Sequence, residues 1–216
     1  MTTYTIVAFI WYAIIAFGII MYVTLDGFTP GTGIVMPFVT GKARALAMSV
    51  ILPTWDGNQT WLVLGGAALY GAFPKAFSTI LPDLYFPIFL MIIFLLFRGV
   101  TFEFRLKSHS GRKRWDALFI ISSVVVTVVQ GFVLATFVKG FENVSQNGSF
   151  LDYNIWFSSF GVITAVGLLF GYALLGSTRL ILKTTGHIQE QMFSLAKKLL
   201  ILVFILMVAV SIYTPF

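Results

Sequence analysis

The feature that most constrains this chain is a set of long apolar runs that contain no charged residue. Residues 6–25, 117–138 and 155–178 contain no Asp, Glu, Lys or Arg. A helix needs about 20 mostly apolar residues to cross the hydrocarbon core of a bilayer. Because every backbone polar group must be satisfied inside lipid, such runs predict membrane-spanning α-helices.

Three further segments extend the pattern to about six spans. They are the glycine-rich residues 57–74, the strongly apolar residues 84–97, which continue toward Phe104, and the apolar residues 199–216. The shorter segment 41–52 is basic at its start and indicates an interfacial helix or a buried connector. We therefore expect an all-α, polytopic membrane helix bundle that forms one membrane domain over residues 1–216.

The composition supports the same class of protein. Apolar residues make up 58% of the 216 residues and charged residues only 10%, whereas an ordinary soluble domain carries about 25% charged residues. A globule of this size would bury only about 70% of the surface that its unfolded chain exposes, so the surplus apolar surface must face lipid. This excludes a soluble enzyme, a nucleic-acid-binding protein and a disordered tail. The sequence has no cysteine, which excludes disulfides and thiolate-bound metals.

Basic residues are concentrated in alternate connectors, and this predicts the orientation. Most Lys and Arg residues fall in segments 42–44, 105–114 and 179–198. Cytoplasmic loops of membrane proteins carry an excess of these residues. The predicted protein is therefore multi-pass, with its N-terminus on the periplasmic side.

Two carboxylates lie at predicted helix ends. Asp26 ends the first predicted helix and Asp56 begins the second, so both are expected at the cytoplasmic side. One interpretation is that they are helix-end residues at the interface, where a carboxylate near a helix start interacts favourably with the dipole. The other is a proton entry relay, because a carboxylate at the mouth of a polar channel can take up and pass on protons. The sequence leaves both open.

Three more polar residues are predicted at membrane depth. Arg98 and Glu103 are about 140° apart on one helix and so do not pair with each other, whereas Glu103 and Lys107 are four residues apart. Arg98 either anchors the helix end by snorkelling or meets a partner subunit or a polar cofactor. Gln130, in the middle of an apolar helix, needs a hydrogen-bond partner, and a bond between helices is the favoured interpretation.

Other residues point to packing and anchoring. Trp55 and Trp61 flank Asp56 and are candidates for interfacial anchors. Gly167 and Gly171 form a small-residue pair that predicts close helix packing.

The histidines bear on whether this chain holds a haem. The sequence has only His109 and His187, and both fall in basic connectors. A protein-bound haem usually takes axial His, Met, Cys or Tyr ligands. We therefore expect the chain to ligate no haem or other metal by itself.

Four motifs, in this order, closely resemble subunit II of the cytochrome bd quinol oxidases, including their cyanide-insensitive branch. They are Leu-Asp-Gly-Phe at 25–28, Pro-Thr-Trp-Asp-Gly-Asn-Gln-Thr-Trp-Leu at 53–62, Phe-Arg-Gly-Val-Thr-Phe-Glu-Phe-Arg at 97–105, and Gly-Tyr-Ala-Leu-Leu-Gly-Ser at 171–177. The second and third motifs are long and specific, and the resemblance covers nearly the whole chain.

The resemblance implies a respiratory complex of the bacterial plasma membrane that oxidises quinol, reduces dioxygen to water and generates a proton-motive force. It implies that haem b and haem d lie in a partner, subunit I, with quinone as substrate or structural lipid and with small single-span accessory subunits. Asp26 and Asp56 become proton-path candidates, and Trp55 and Trp61 become candidates for oxygen access or the subunit interface. The remaining candidates are buried polar residues or subunit contacts, namely Asn58, Arg98, Glu103 and Gln130.

The resemblance also implies a longer protein than this one. Family members have eight or nine spans, so residues 1–138 would form a first four-helix bundle and residues 155–216 part of a second. The chain is thus expected to be shortened at its C-terminus relative to the family.

A second hypothesis from another class is a small inner-membrane transporter or proton channel unrelated to respiration. Such a protein needs a substrate site at the midplane with broken helices around it. The pair Gly65-Gly66 is the one sequence feature that favours this hypothesis.

Overall fold

The computed structural model describes residues 2–39, 41–108, 111–140 and 157–214, and within these ranges all regular secondary structure is helical. The helices are α1 (Thr3–Asp26), α2 (Phe28–Val35), a 3₁₀ turn (Met36–Phe38), α3 (Lys42–Ile51), α4 (Trp55–Ala72), α5 (Pro74–Asp83), α6 (Tyr85–Lys107), α7 (Arg112–Lys139), α8 (Ser159–Lys183) and α9 (His187–Tyr213). The predicted all-α class is confirmed.

Five stretches of the described chain are long and apolar enough to cross a membrane, so the protein is a membrane protein. They are Thr3–Phe38, Tyr85–Lys107, Arg112–Lys139, Ser159–Lys183 and His187–Tyr213. The sixth predicted span, residues 57–74, forms α4, which packs along α1. The first turns of α4 carry Asp56, Asn58 and Gln59, so this helix is less apolar than the other five.

The first span is longer than predicted because the chain continues helically beyond Asp26. Pro30 has no N–H to donate to the carbonyl of Asp26 four residues earlier, so the regular α-helix is interrupted at Gly27. The chain nevertheless stays in the α-helical region at Gly27 and continues as α2. Asp26 therefore lies at an interruption inside a long helical segment and not at its end.

Two other boundaries also differ from the prediction. The last span begins at His187 and not at residue 199, because Lys197 and Lys198 lie exposed on one side of a helix that passes through them. The predicted start of another span, residue 155, lies outside the described residues, where α8 begins at Ser159. The segment 41–52 forms α3, whose buried Ala47, Met48 and Ile51 make it a packed connector.

The helix α2 is short, and most of its residues are buried inside the bundle. It packs against α7 and α8. A Cβ atom added to Gly31 would stand 1.8 Å from the carbonyl oxygen of Tyr172, and one added to Gly176 would stand 2.2 Å from the carbonyl carbon of Gly31. The backbones of α2 and α8 therefore touch directly, as glycine at both positions allows.

The predicted packing pair Gly167 and Gly171 makes no close contact within the described part of this chain. A Cβ atom added at either position meets nothing within 4 Å. The small residues that bring helices together lie elsewhere, at Gly31, Gly176 and Gly131, the last of which abuts Ala165. The division of the chain into bundles 1–138 and 155–216 stays a prediction, and α8 packs on both α2 and α7 across it.

The α6–α7 hairpin is closed at one end by a charge pair and by ring stacking. The buried Arg105 donates from Nε to Oδ1 of Asp116. Phe104 stacks on Trp115 with ring centroids 5.3 Å apart. On the outside of α6, Lys107 pairs with Glu103 at 2.9 Å, as their spacing of four predicts.

Candidate functional site

A buried ion pair joins the first span to α6. Nη2 of Arg98 donates to Oδ2 of Asp26 at 2.8 Å, and the two side chains are 0% and 1% exposed. Arg98 lies nine residues before the end of α6, about 14 Å along the helix at 1.5 Å per residue. A charge removed from water at this depth needs a partner of opposite sign. The ion pair therefore links two helices inside the bundle.

A third helix, α4, also contacts the ion pair. Gln59, with its carboxamide oxygen turned toward the guanidinium, accepts from Nε of Arg98 at 3.3 Å and also from its Nη2. Trp55, one turn earlier, lies over Gly99, where an added Cβ would be 3.2 Å from the indole ring. The indole also stacks on Phe102 at 4.9 Å. The start of α4 is thus fitted onto the face of α6 that carries Arg98.

A second polar pair lies one helical turn from Asp26. Tyr22 is four residues before Asp26, and its hydroxyl lies beside that carboxylate. The same hydroxyl accepts a hydrogen bond from Nε2 of Gln130 on α7. This is the bond between helices that the sequence favours for Gln130. From α8, the buried Tyr172 packs on Gly27 next to the ion pair.

We call these residues the polar cluster, which comprises Tyr22, Asp26, Gln59, Arg98 and Gln130. They come from α1, α4, α6 and α7. Three buried atoms of the cluster have no hydrogen-bond partner among the described residues, namely Oδ1 of Asp26, Nη1 of Arg98 and Oε1 of Gln130. The cluster therefore has spare donor and acceptor capacity.

Asp56 and Asn58 lie at the same end of α1 as the cluster but in a different environment. Asp56 is in the first turn of α4 and is exposed. Asn58 donates from Nδ2 to the carbonyl oxygen of Leu25 at 2.6 Å. Because Leu25 adjoins Asp26, Asn58 fixes the start of α4 beside the interruption in the first span. Of the two proton-path candidates, Asp56 is thus exposed and Asp26 is buried.

The remaining sequence candidates to be placed are Trp61 on α4 and Glu103 and Arg98 on α6. Trp61 is half-buried and meets Phe17 of α1 edge to face, with ring centroids 5.7 Å apart. Glu103 is exposed beside Lys107 and is not a buried polar residue of this chain. Arg98 is buried and paired with Asp26 of the same chain, so it does not reach solvent by snorkelling. Its contact with a partner subunit or a cofactor stays a prediction.

Sequence reasoning missed Tyr22 and Gln59 as members of the cluster. A signal for both was present, because each lies four residues, or about one helical turn, from a candidate already identified. Tyr22 precedes Asp26 by that spacing, and Gln59 follows Trp55 by it.

Comparison with known proteins decides the family. The model of the cytochrome bd terminal oxidase subunit II family matches residues 7–216. The chain belongs to this family. The resemblance found in the motifs is thereby confirmed, and Asp26, Asp56 and Arg98 all lie within the matched region.

The relatives within the family are bacterial. Cytochrome bd ubiquinol oxidase subunit 2 of Bacillus subtilis (strain 168) is 29% identical over 207 residues, which cover 93% of this chain and 60% of the relative. Cytochrome bd-I ubiquinol oxidase subunit 2 of Escherichia coli (strain K12) is 29% identical over 87% of this chain and 52% of the relative. Probable cytochrome oxidase subunit 2 of Haemophilus influenzae is 26% identical over 88% and 53%. The chain thus spans between half and three fifths of the length of these relatives.

Membership of a cytochrome bd family implies haems in the complex. The described residues of this chain contain no group of three His, Cys, Asp or Glu that could hold a metal ion. His187 is exposed at the start of α9, and the buried Met91 is packed in an apolar cluster with Val126 and Val129. His109 lies outside the described residues. Which subunit of the complex holds the haems stays a prediction.

The Tyr22–Gln130 bond gives a first prediction for this subunit II chain. We expect Gln130→Leu to lower the free energy of unfolding by about 1–3 kcal/mol, because it leaves a buried hydroxyl without its donor. The measurement is the thermal unfolding of the protein in detergent. The double variant Tyr22→Phe/Gln130→Leu, which removes both partners, should recover part of the loss. Equal stability of Gln130→Leu and the unchanged protein would contradict the hydrogen bond.

Proposed function

We propose that this chain acts as the second subunit of a bd-type terminal quinol oxidase, a complex that oxidises quinol and reduces dioxygen to water in the bacterial plasma membrane. The observation that carries the proposal is the family match over residues 7–216. The names of the relatives from Bacillus subtilis and Escherichia coli, both of them ubiquinol oxidase subunits, support the same activity.

The proposal assigns haem b and haem d to a partner, subunit I. It is supported by the exposure of His187 at the start of α9 and by extensive apolar surfaces on α1 and α9. Phe9, Tyr12, Phe204 and Met207 are each more than half exposed on these helices. Lipid, subunit I and small single-span accessory subunits are the proposed occupants of these surfaces, and quinone is the proposed substrate or structural lipid.

The proposal gives the cluster and Asp56 the task of delivering protons toward the haems. Asp56 would receive a proton at the exposed start of α4, and Asp26 would stand behind it inside the bundle. The polar side chains of Asn58 and Gln59 line the same end of α4. Trp55 and Trp61, which cover the neighbouring faces of α6 and α1, are proposed to border the oxygen route or the subunit interface.

The proposed orientation places the α6–α7 connector in the cytoplasm and the N-terminus in the periplasm. It is supported by the exposed Arg112, Lys113 and Arg114 at the start of α7. Cysteine labelling of a Ser108→Cys variant with a membrane-impermeant reagent tests this orientation. Labelling from outside intact cells would contradict it.

Purification from the host membrane tests the activity. We expect the chain to copurify with a haem-bearing subunit in a coloured complex that consumes oxygen with quinol as electron donor. A colourless homo-oligomer without a haem-bearing partner would contradict the proposal and would favour the transporter hypothesis, for which the family match gives no support.

The proton role gives a second prediction. We expect Asp56→Asn to slow quinol-dependent oxygen consumption several-fold with the haem content unchanged, because the exposed proton acceptor is removed while the buried ion pair remains. The measurement is the turnover rate from acid to alkaline pH, with haem spectra recorded in parallel. Asp83→Asn, a carboxylate at the far end of α5, is the matched control and should leave turnover unchanged. Wild-type turnover of Asp56→Asn at every pH would rule out this role.

A further inference from the structure

The charges of the α6–α7 hairpin are unevenly neutralised. Arg105 is paired with Asp116, and Lys107 is paired with Glu103. The next three cations, Arg112, Lys113 and Arg114, have no carboxylate partner among the described residues. This end of the hairpin therefore presents uncompensated positive charge close to the apolar surface of α7.

A groove of about 280 Å³ runs along α7 at this point. It is lined by Gly111, Arg114, Trp115 and Leu118, and we call it the α7 groove. Gly111, Arg114 and Leu118 follow one another at spacings of three and four, so they lie on one face of the helix. On this face the guanidinium of Arg114 lies nearer the start of the helix, and the aliphatic side chain of Leu118 lies one turn further along it. Ile121, three residues beyond Leu118 and 53% exposed, continues the apolar strip toward the bilayer.

The wall of the groove is held in place. Trp115 is stacked on Phe104 of α6, so the indole is fixed as one side of the groove. Its Nε1 would lie 3.5 Å from a Cβ at Gly111, an ordinary contact distance, so the indole edge borders this end of the groove. The indole N–H has no acceptor among the described residues, so it remains available for a ligand.

We propose that the α7 groove binds an anionic phospholipid. Arg114 and the indole N–H of Trp115 would hold the phosphodiester, and one acyl chain would lie along Leu118 and Ile121. The order of the groups along the helix, a cation and a donor first and aliphatic side chains next, matches an amphiphile that enters from the headgroup region. The α7 groove is independent of the polar cluster and of the proposed oxidase activity, since it lies at the hairpin end.

Tryptophan quenching by brominated lipids tests the proposal on the protein as it is purified from the membrane. The component due to Trp115 is obtained as the difference between the unchanged protein and Trp115→Phe. We expect brominated phosphatidylglycerol to quench this component at a concentration roughly tenfold lower than brominated phosphatidylcholine, since one charge-assisted hydrogen bond is worth about a factor of ten or more. Equal quenching by the two lipids would overturn the proposal.

Substitutions separate a groove from a diffuse basic surface. Arg114→Gln should abolish the preference for phosphatidylglycerol, and Arg114→Lys should keep part of it. Lys113→Gln removes the same charge one residue away, about 100° around the helix, and should weaken the preference far less. Equal losses in Arg114→Gln and Lys113→Gln would overturn the proposal in favour of unspecific attraction. Thermal unfolding of each variant establishes that it is folded.

Two further measurements distinguish a lipid headgroup from a free anion or an acidic segment of a partner. Inorganic phosphate at millimolar concentration should not displace the brominated lipid, and displacement by it would show a site for a free anion. Preference for phosphatidylglycerol should persist in the complete complex. Its loss on assembly would show that an acidic segment of a partner covers the groove. Either result would overturn the proposal of a lipid site.

Discussion

Replacing Arg98 by methionine is expected to destabilise the protein by about 3–5 kcal/mol, because it leaves the carboxylate of Asp26 buried without a counter-charge. Asp26 is 1% exposed and its Oδ2 has Arg98 as its partner at 2.8 Å. The measurement is the thermal unfolding of the purified protein in detergent, together with the yield of folded protein from the membrane. Arg98→Met with the melting temperature of the unchanged protein would contradict the buried ion pair.

Two further variants show whether the effect belongs to the ion pair. In Arg98→Met/Asp26→Asn both charges are absent, so we expect this double variant to be more stable than Arg98→Met alone. Lys107→Met removes a cation from the same helix, but its partner Glu103 is exposed. Exposed ion pairs contribute little, so Lys107→Met is the matched control and should leave the melting temperature nearly unchanged.

Gly31→Ala is expected to be the second most damaging substitution considered. Its new methyl group would stand 1.8 Å from the carbonyl oxygen of Tyr172 and 2.8 Å from the nitrogen of Gly176. Both are backbone atoms, so no side chain can rotate away, and α2 must separate from α8. Overpacking usually costs about 1–3 kcal/mol, and we expect the upper end of that range or more. The melting temperature and the yield of folded protein measure the effect.

Gly167→Ala is the control because it makes the same chemical change on the partner helix α8. An added Cβ at Gly167 meets nothing within 4 Å. Alanine is favoured over glycine inside a helix by about 0.5–1 kcal/mol. We therefore expect opposite signs, with Gly31→Ala less stable and Gly167→Ala equally or more stable than the unchanged protein. Equal destabilisation by both would refute the direct backbone contact.

The sequence predicts the spans well where charge is absent. The uncharged runs that contain most of α1, α7 and α8 admit little other than a membrane helix, and the motif around Asp56 correctly places the start of α4. Helix boundaries were predicted wrongly where tertiary packing outweighed a local sequence signal. Asp26-Gly27 and Pro30 indicate a helix end, but the chain continues into α2 because α7 and α8 bury it.

The polar cluster could be predicted only in part. The sequence predicts Asp26 at a helix end and Arg98 at membrane depth, where an unpaired charge requires a partner. It does not predict that both side chains are buried. The identity of the partner does not follow, because the two residues are 72 positions apart and a single sequence does not indicate which helices are neighbours. For the same reason the contact between Gly31 and Gly176 could not be distinguished from the unused pair Gly167 and Gly171.

The position of α2 has a consequence for the order in which the protein is made. Its buried Thr29 and Thr32 are enclosed by α7 and α8, which leave the ribosome long after α2 does. The hairpin of α1 and α4 can form early, whereas α2 must wait for its enclosing helices. During synthesis this short threonine- and glycine-rich segment therefore stays without its enclosing helices until α7 and α8 have been made.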